Sequence, residues 1–122
     1  MILLPITPVP KPRMTVSDRW KKRPIVLKYR KYCDALRAET EKQNFQITNP
    51  LSLVFVIPMP KSWSKKKKKF MDGKPHASRP DLDNLIKAFQ DALAEEDSHI
   101  HTYGKMHKMW GYEGKIIIID YI

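Results

Sequence analysis

The sequence is short of several things: it has one cysteine, few acids for its number of bases, and no long apolar run. Each shortage excludes something. A single cysteine, Cys33, rules out an intramolecular disulfide framework and a cysteine-rich zinc site, and so points to an intracellular chain. It falls in an apolar-periodic segment, where a free thiol is simply buried. No apolar stretch approaches the ~20 residues needed to span a bilayer. The opening "MILLPITPVPKPR" has no charged leader, and prolines break its apolar run, which makes a poor signal peptide. A soluble, cytoplasmic chain without a membrane partner is expected. His76, His99, His101 and His107 have no spacing typical of zinc. No internal repeat is present.

What the sequence does have is positive charge, unevenly placed. It carries 23 Lys and Arg against 13 Asp and Glu, a formal charge of +10. Residues 10–32 contain nine bases and one acid, Asp18; residues 59–80 contain eight bases and one acid, Asp72. Such clustering concentrates polyanions, of which nucleic acid is the commonest in a cell; the plain alternative is a basic solvated surface. The 42% hydrophobic content and three tryptophans argue for a folded chain. At 122 residues, a single domain over 1–122 is expected.

Patterning predicts β-α-β-loop-α-β-β, an α+β fold in which a small mixed sheet carries two main helices as a two-layer sandwich. Residues 2–6 read as an edge strand, because Pro5 denies it a central place. Ile25, Tyr29, Tyr32, Cys33 and Leu36 recur at helical spacing within 25–43. "LSLVFVI", 51–57, reads as a core strand, and 58–80 as a long, basic, mobile loop. Leu82, Leu85, Ile86, Phe89 and Leu93 form an amphipathic stripe on a helix that ends near Glu95 or Glu96. Residues 99–109 read as a strand with His99 and His101 on one side, "WGYEG" as a turn, and "KIIIIDYI" as the other half of a hairpin.

Against this basic background, residues 81–97 hold six carboxylates. With Asp81 at the N-cap and Asp83 in the first turn, the two side chains can converge on a hard cation such as Mg²⁺. Equally, Asp81 can cap the helix while Asp83 complements its dipole. Lys87 lies four residues after Asp83 and four before Asp91. The three make either a solvated ion-pair ladder or a site where a fixed cation holds a phosphate. Trp63, amid lysines, can stack on a base or anchor the loop to the core.

The stretch "PMPKSWSKKKKK…GKPHASRPDLDNLIKAFQDAL", with "PVPKPR" upstream and "GKIIIIDYI" at the end, resembles the RusA family of Holliday junction resolvases, widespread in phages and prophages. The resemblance covers essentially the whole chain. It implies an intertwined homodimer that cuts four-way DNA junctions by paired symmetric nicks, using Mg²⁺ or Mn²⁺, within a bacterial host cell. The catalytic carboxylates carry over to Asp81 and Asp83, and the essential lysine to Lys87. The third carboxylate carries over to Asp97, beside Glu96 in "EEDSHI", where the family typically has Asp-Asp-x-Gln. Metal would be held by Asp81, Asp83 and Asp97, with Glu96 and Asp91 outside the ligand set. A helix running straight from 82 to 95 would put its far end ~20 Å from Asp83. Asp97 can then join the site only if the helix breaks near Leu93, or from a partner subunit.

The residues expected against DNA are Lys11, Arg13, Lys61, Trp63, Lys65, Lys66, Lys67, Lys68, Lys69, Lys74 and Arg79. Two rival functions remain. One is a non-catalytic DNA-binding module whose acidic helix is salt-bridged; the other is an assembly protein for an acidic partner.

Overall fold

A computed structural model describes residues 1–13, 15–19, 23–94 and 99–119. It contains β1 (Ile2–Leu4), α1 (Pro24–Lys42), β2 (Leu51–Pro58), α2 (Lys65–Met71), α3 (Leu82–Leu93), β3 (Tyr103–Gly111) and β4 (Lys115–Ile118). Three helices and a four-stranded mixed sheet make an α+β fold. The sheet order is β1-β4-β2-β3, with β2 parallel to β3 and antiparallel to β4.

Strand alternation sets the layers. Ile2 and Leu4 of β1, Leu51, Leu53 and Phe55 of β2, and Ile116 and Ile118 of β4 point to one side. There they join Tyr29, Tyr32, Cys33 and Leu36 of α1 and Leu85, Ala88, Phe89 and Ala92 of α3 in a single buried cluster. Cys33 is buried as its periodicity requires. Gln90 is also buried, and its amide donates to the Tyr103 hydroxyl, tying α3 to β3.

The expected hairpin between the last two strands does not form, because β2 lies between them. Residues 51–56 are buried without exception, so β2 is a central strand and needs a partner on each edge. β3 takes one edge and β4 the other. The 112–114 connection crosses the end of β2 where Pro58, without an N–H, ends the ladder. Crossing there requires close approach: a Cβ on Gly111 would lie 2.3 Å from Val56 Cγ1, and one on Gly114 would lie 2.2 Å from Thr7 Oγ1. β3 also begins at Tyr103, so His99 and His101 precede the strand, and Trp110 belongs to it rather than to a turn. Asn49 ties the 99–102 segment down: its amide donates to the His99 carbonyl, and its Oδ1 accepts from the His101 and Thr102 N–H groups.

Three other differences bear on the site. The 58–80 stretch is not wholly irregular, since α2 lies within it. α3 ends at Leu93 with Ala94 as its C-cap, short of Glu95 and Glu96. Asp18, the one acid of the first basic block, is consumed internally: Arg23 bonds both its oxygens, at 2.7 and 2.8 Å. That guanidinium, helped by the Thr15 N–H, holds the Asp18 carboxyl well below the usual carboxylate range. No helix among the described residues is long and apolar enough to cross a membrane.

Candidate active site

α3 begins after a bend at 78–80, where Asp81 takes the N-cap position with extended backbone. Its stripe of Leu85 and Phe89, both fully buried, fixes the helix on the sheet and turns its opposite side outward. That outer side carries Asp83 and Lys87, both exposed.

The Asp81 carboxylate does not cap the helix. Only its backbone carbonyl is used, accepting from the Leu85 N–H at 3.2 Å. Among the described residues its exposed side chain has no partner. The Asp83 carboxylate accepts locally from the Asn84 N–H at 2.9 Å. The two acids therefore stand exposed at one helix end, with Asp81 outside the helix and Asp83 in its first turn.

The ion-pair ladder along α3 does not form either. Lys87 makes no ion pair among the described residues, and Asp91 pairs with Lys11 instead. The segment before α1 lies along α3: the Asn84 amide donates to the Lys11 carbonyl at 3.3 Å, and the Lys11 ammonium reaches Asp91. Lys11, Pro12, Arg13, Asn84 and Lys87 line an open groove of about 580 Å³. Lys11, expected to face DNA, is thus spent on Asp91, while Arg13 and Lys87 stay exposed in or beside the groove.

The donor set present suits a hard cation: two exposed carboxylates, oxygen donors only, with room for water and phosphate. Among the described residues no three carboxylate, imidazole or thiol side chains gather on one point. Asp97, the expected third carboxylate, and Glu96 lie outside the described residues.

The lysine-rich segment folds into α2 because Ser64 caps it, its hydroxyl accepting from the Lys67 N–H at 3.1 Å. None of its residues is buried. Lys61, Lys65, Lys66, Lys67, Lys69 and Arg79 are exposed; Lys68 and Lys74 are partly covered. Lys67 sits 4.2 Å from the centre of the Trp63 ring, and Lys74 sits 3.1 Å from that of Phe70. Trp63 packs on Trp110 of β3, with ring centres 4.8 Å apart, and Trp110 packs on His76 at 4.3 Å. Trp63 is therefore an anchor of this segment. The buried His76 ring leaves Nδ1 without a hydrogen-bond partner. Burial, then the nearby Lys108 charge, pushes its pKa below the ordinary histidine value.

From α2 the chain is laced along the outer edge of β3. Gly73 N–H donates to the Trp110 carbonyl, Trp110 N–H to the Lys74 carbonyl, and His76 N–H to the Lys108 carbonyl. This covers an otherwise open sheet edge and leads directly to Asp81. Asn84 on the groove, Trp110 under Trp63, and Lys108, whose ammonium donates to the Ser78 and Pro80 carbonyls just before Asp81, were not among the expected residues. The usable signal was Lys108 itself: in β3 it alternates with Met106 and Trp110, so a cation stands in an apolar row.

A family model described as Endodeoxyribonuclease RusA matches residues 5–118. The match takes in the α1–β2 scaffold, α2, Asp81, Asp83 and Lys87, and all of β3 and β4. No individual curated protein sequence matches the chain.

Proposed function

The chain belongs to the RusA endodeoxyribonuclease family, which are Holliday junction resolvases, and on that premise we propose that it resolves four-way DNA junctions by paired, symmetric, Mg²⁺-dependent nicks as a homodimer. The observation that carries the reading is the Asp81 carboxylate. It stands at an N-cap position, exposed, and is not used for capping. A carboxylate that only built the helix would be bonded to a first-turn N–H.

In this reading Asp81 and Asp83 hold the divalent cation, and Asp97 is the third carboxylate. When bound, Mg²⁺ or Mn²⁺ supplies an activated water and charge stabilisation at the phosphate. Asp81 and Asp83 would hold the cation at the start of α3, one turn from Lys87 and the groove. Lys87, free of Asp83 and Asp91, supports the phosphate as negative charge grows on it. Arg13 lies in the same groove and guides the strand toward it. α2 and the neighbouring Lys61, Lys74 and Arg79 bear on phosphates further out, so branched DNA is held through its backbone and shape.

A two-fold dimer presents two identical sites to a junction of approximate two-fold symmetry. Apolar side chains stand ready for such packing: Leu3, Val16, Ile25 and Leu27 are 43–80% exposed. The rival reading, a binding module with a salt-bridged acidic helix, lacks its ladder.

The test is cleavage of a synthetic four-way junction by wild type and Asp83→Asn, with Mg²⁺ and with EDTA. Paired nicks that need Mg²⁺ and vanish in the variant, with junction binding retained, are expected. Binding without any cleavage in wild type would make the protein a non-catalytic relative.

A further inference from the structure

Lys108 is a lysine on the helix side of the sheet. It pairs in register with Phe55, which is fully buried, and alternates with Met106 and Trp110. Lys108 is only partly buried, and an ammonium on this side of the sheet favours nearby acceptors. It finds two: the Ser78 carbonyl at 2.5 Å and the Pro80 carbonyl at 2.7 Å. The second is the carbonyl of the peptide whose nitrogen belongs to Asp81.

Among the described residues the Asp81 side chain has no bond of its own, so its direction follows its backbone. On the helix side that backbone is fixed by the Leu85 N–H on the Asp81 carbonyl. On the other side it is fixed by Lys108. We propose that Lys108 is a positioning residue of the nuclease site: by clamping the Ser78 and Pro80 carbonyls, it sets the direction in which Asp81 presents its carboxylate to the metal. The inference rests on the reading of Asp81 as a metal ligand.

A distinctive sign follows. By charge alone, removing a cation beside a metal site tightens metal binding. A positioning role predicts the opposite. The experiment is Mn²⁺ binding to the full chain, read from the electron paramagnetic resonance of free Mn²⁺. It compares wild type, Lys108→Met, Lys108→Gln, Lys108→Arg and Asp81→Asn, with junction affinity measured in EDTA alongside. Lys108→Met is expected to weaken Mn²⁺ binding by about 10-fold or more, in the range for losing a group that orients a ligand. Junction affinity should stay within about twofold, and Lys108→Arg should recover part of the loss. Should Lys108→Met fail to fold, judged by circular dichroism, Lys108→Gln carries the same expectation. Unchanged or tighter Mn²⁺ binding overturns the proposal. So does a loss of junction affinity with Mn²⁺ binding intact, which would make Lys108 a phosphate contact. If Asp81→Asn binds Mn²⁺ like wild type, the ligand reading of Asp81 fails first, whatever Lys108 does.

Discussion

α2 and α3 follow one another in the chain and are built on opposite principles. α3 has twelve residues and buries Leu85, Ala88, Phe89, Gln90 and Ala92. α2 has seven and buries none. An isolated helix needs roughly 12–15 residues to be even marginal in water. α2 is also charged against itself: lysines fill its first turn, at the positive end of the dipole, and Lys65 repels Lys69 across one turn. What holds it is the Ser64 cap, worth about 1 kcal/mol, and the packing of Trp63 on Trp110. α3 places its acids on a firm support. α2 gathers bases that only a polyanion would relieve. On the proposed function, one helix holds chemistry still and the other meets the DNA.

The comparison breaks most visibly in their two phenylalanines. Phe89 is 0% exposed and Phe70 is 66% exposed. Phe89→Ala should cost about 3–5 kcal/mol in urea unfolding, a large part of the ~5–15 kcal/mol that a domain has. Phe70→Ala should change stability by about 0.5 kcal/mol or less. Comparable losses at both would mean that α2 is as much a part of the core as α3.

Charge substitutions sharpen it next. Asp83→Asn should abolish junction cleavage while leaving binding and melting temperature near wild type. Changing Lys65, Lys66 and Lys69 together to glutamine should leave stability unchanged or slightly raised. It should also lower the slope of log affinity against log salt by about 2 to 3, at ~0.9 per phosphate contact. An unaltered slope would remove α2 from the DNA interface.

The smallest effect tests the link between the two helices, where His76 stacks on Trp110. Its pKa is depressed in the fold by burial and by Lys108. Below the ordinary value of about 6.5 the unfolded chain takes up a proton that the folded chain refuses. Stability should therefore be full above that pH and fall as pH drops through it toward the lower folded value. Urea midpoints between pH 7.5 and 5 would show the decline, and His76→Phe should flatten it.

Much of this was legible in the sequence because local pattern carried it. The apolar stripe of α3 and the 3.6-residue spacing of α1 gave both helices within a few residues. The unbroken run of β2 marked a buried strand, and Pro5 marked β1 as an edge. Partnering was not legible. The hairpin expectation followed chain order, whereas β2 needed two partners and separated β3 from β4. The lysine run looked like loop because nothing in it is apolar enough to show a helical face. Its cap was visible in Ser64, but its anchor on Trp110 was not.

The sequence by itself determined the basic field, the amphipathic α3, the acids at its start and the family to which they belong. These depend on residue type and short spacing alone. Only the tertiary structure decided that Lys11, 80 residues away, would take Asp91 and leave Lys87 without an ion pair among the described residues. Only it decided that Lys108 of β3 would clamp the two carbonyls before Asp81. A charged side chain is paired by whatever the fold brings within reach, and neighbours in sequence have no prior claim on it.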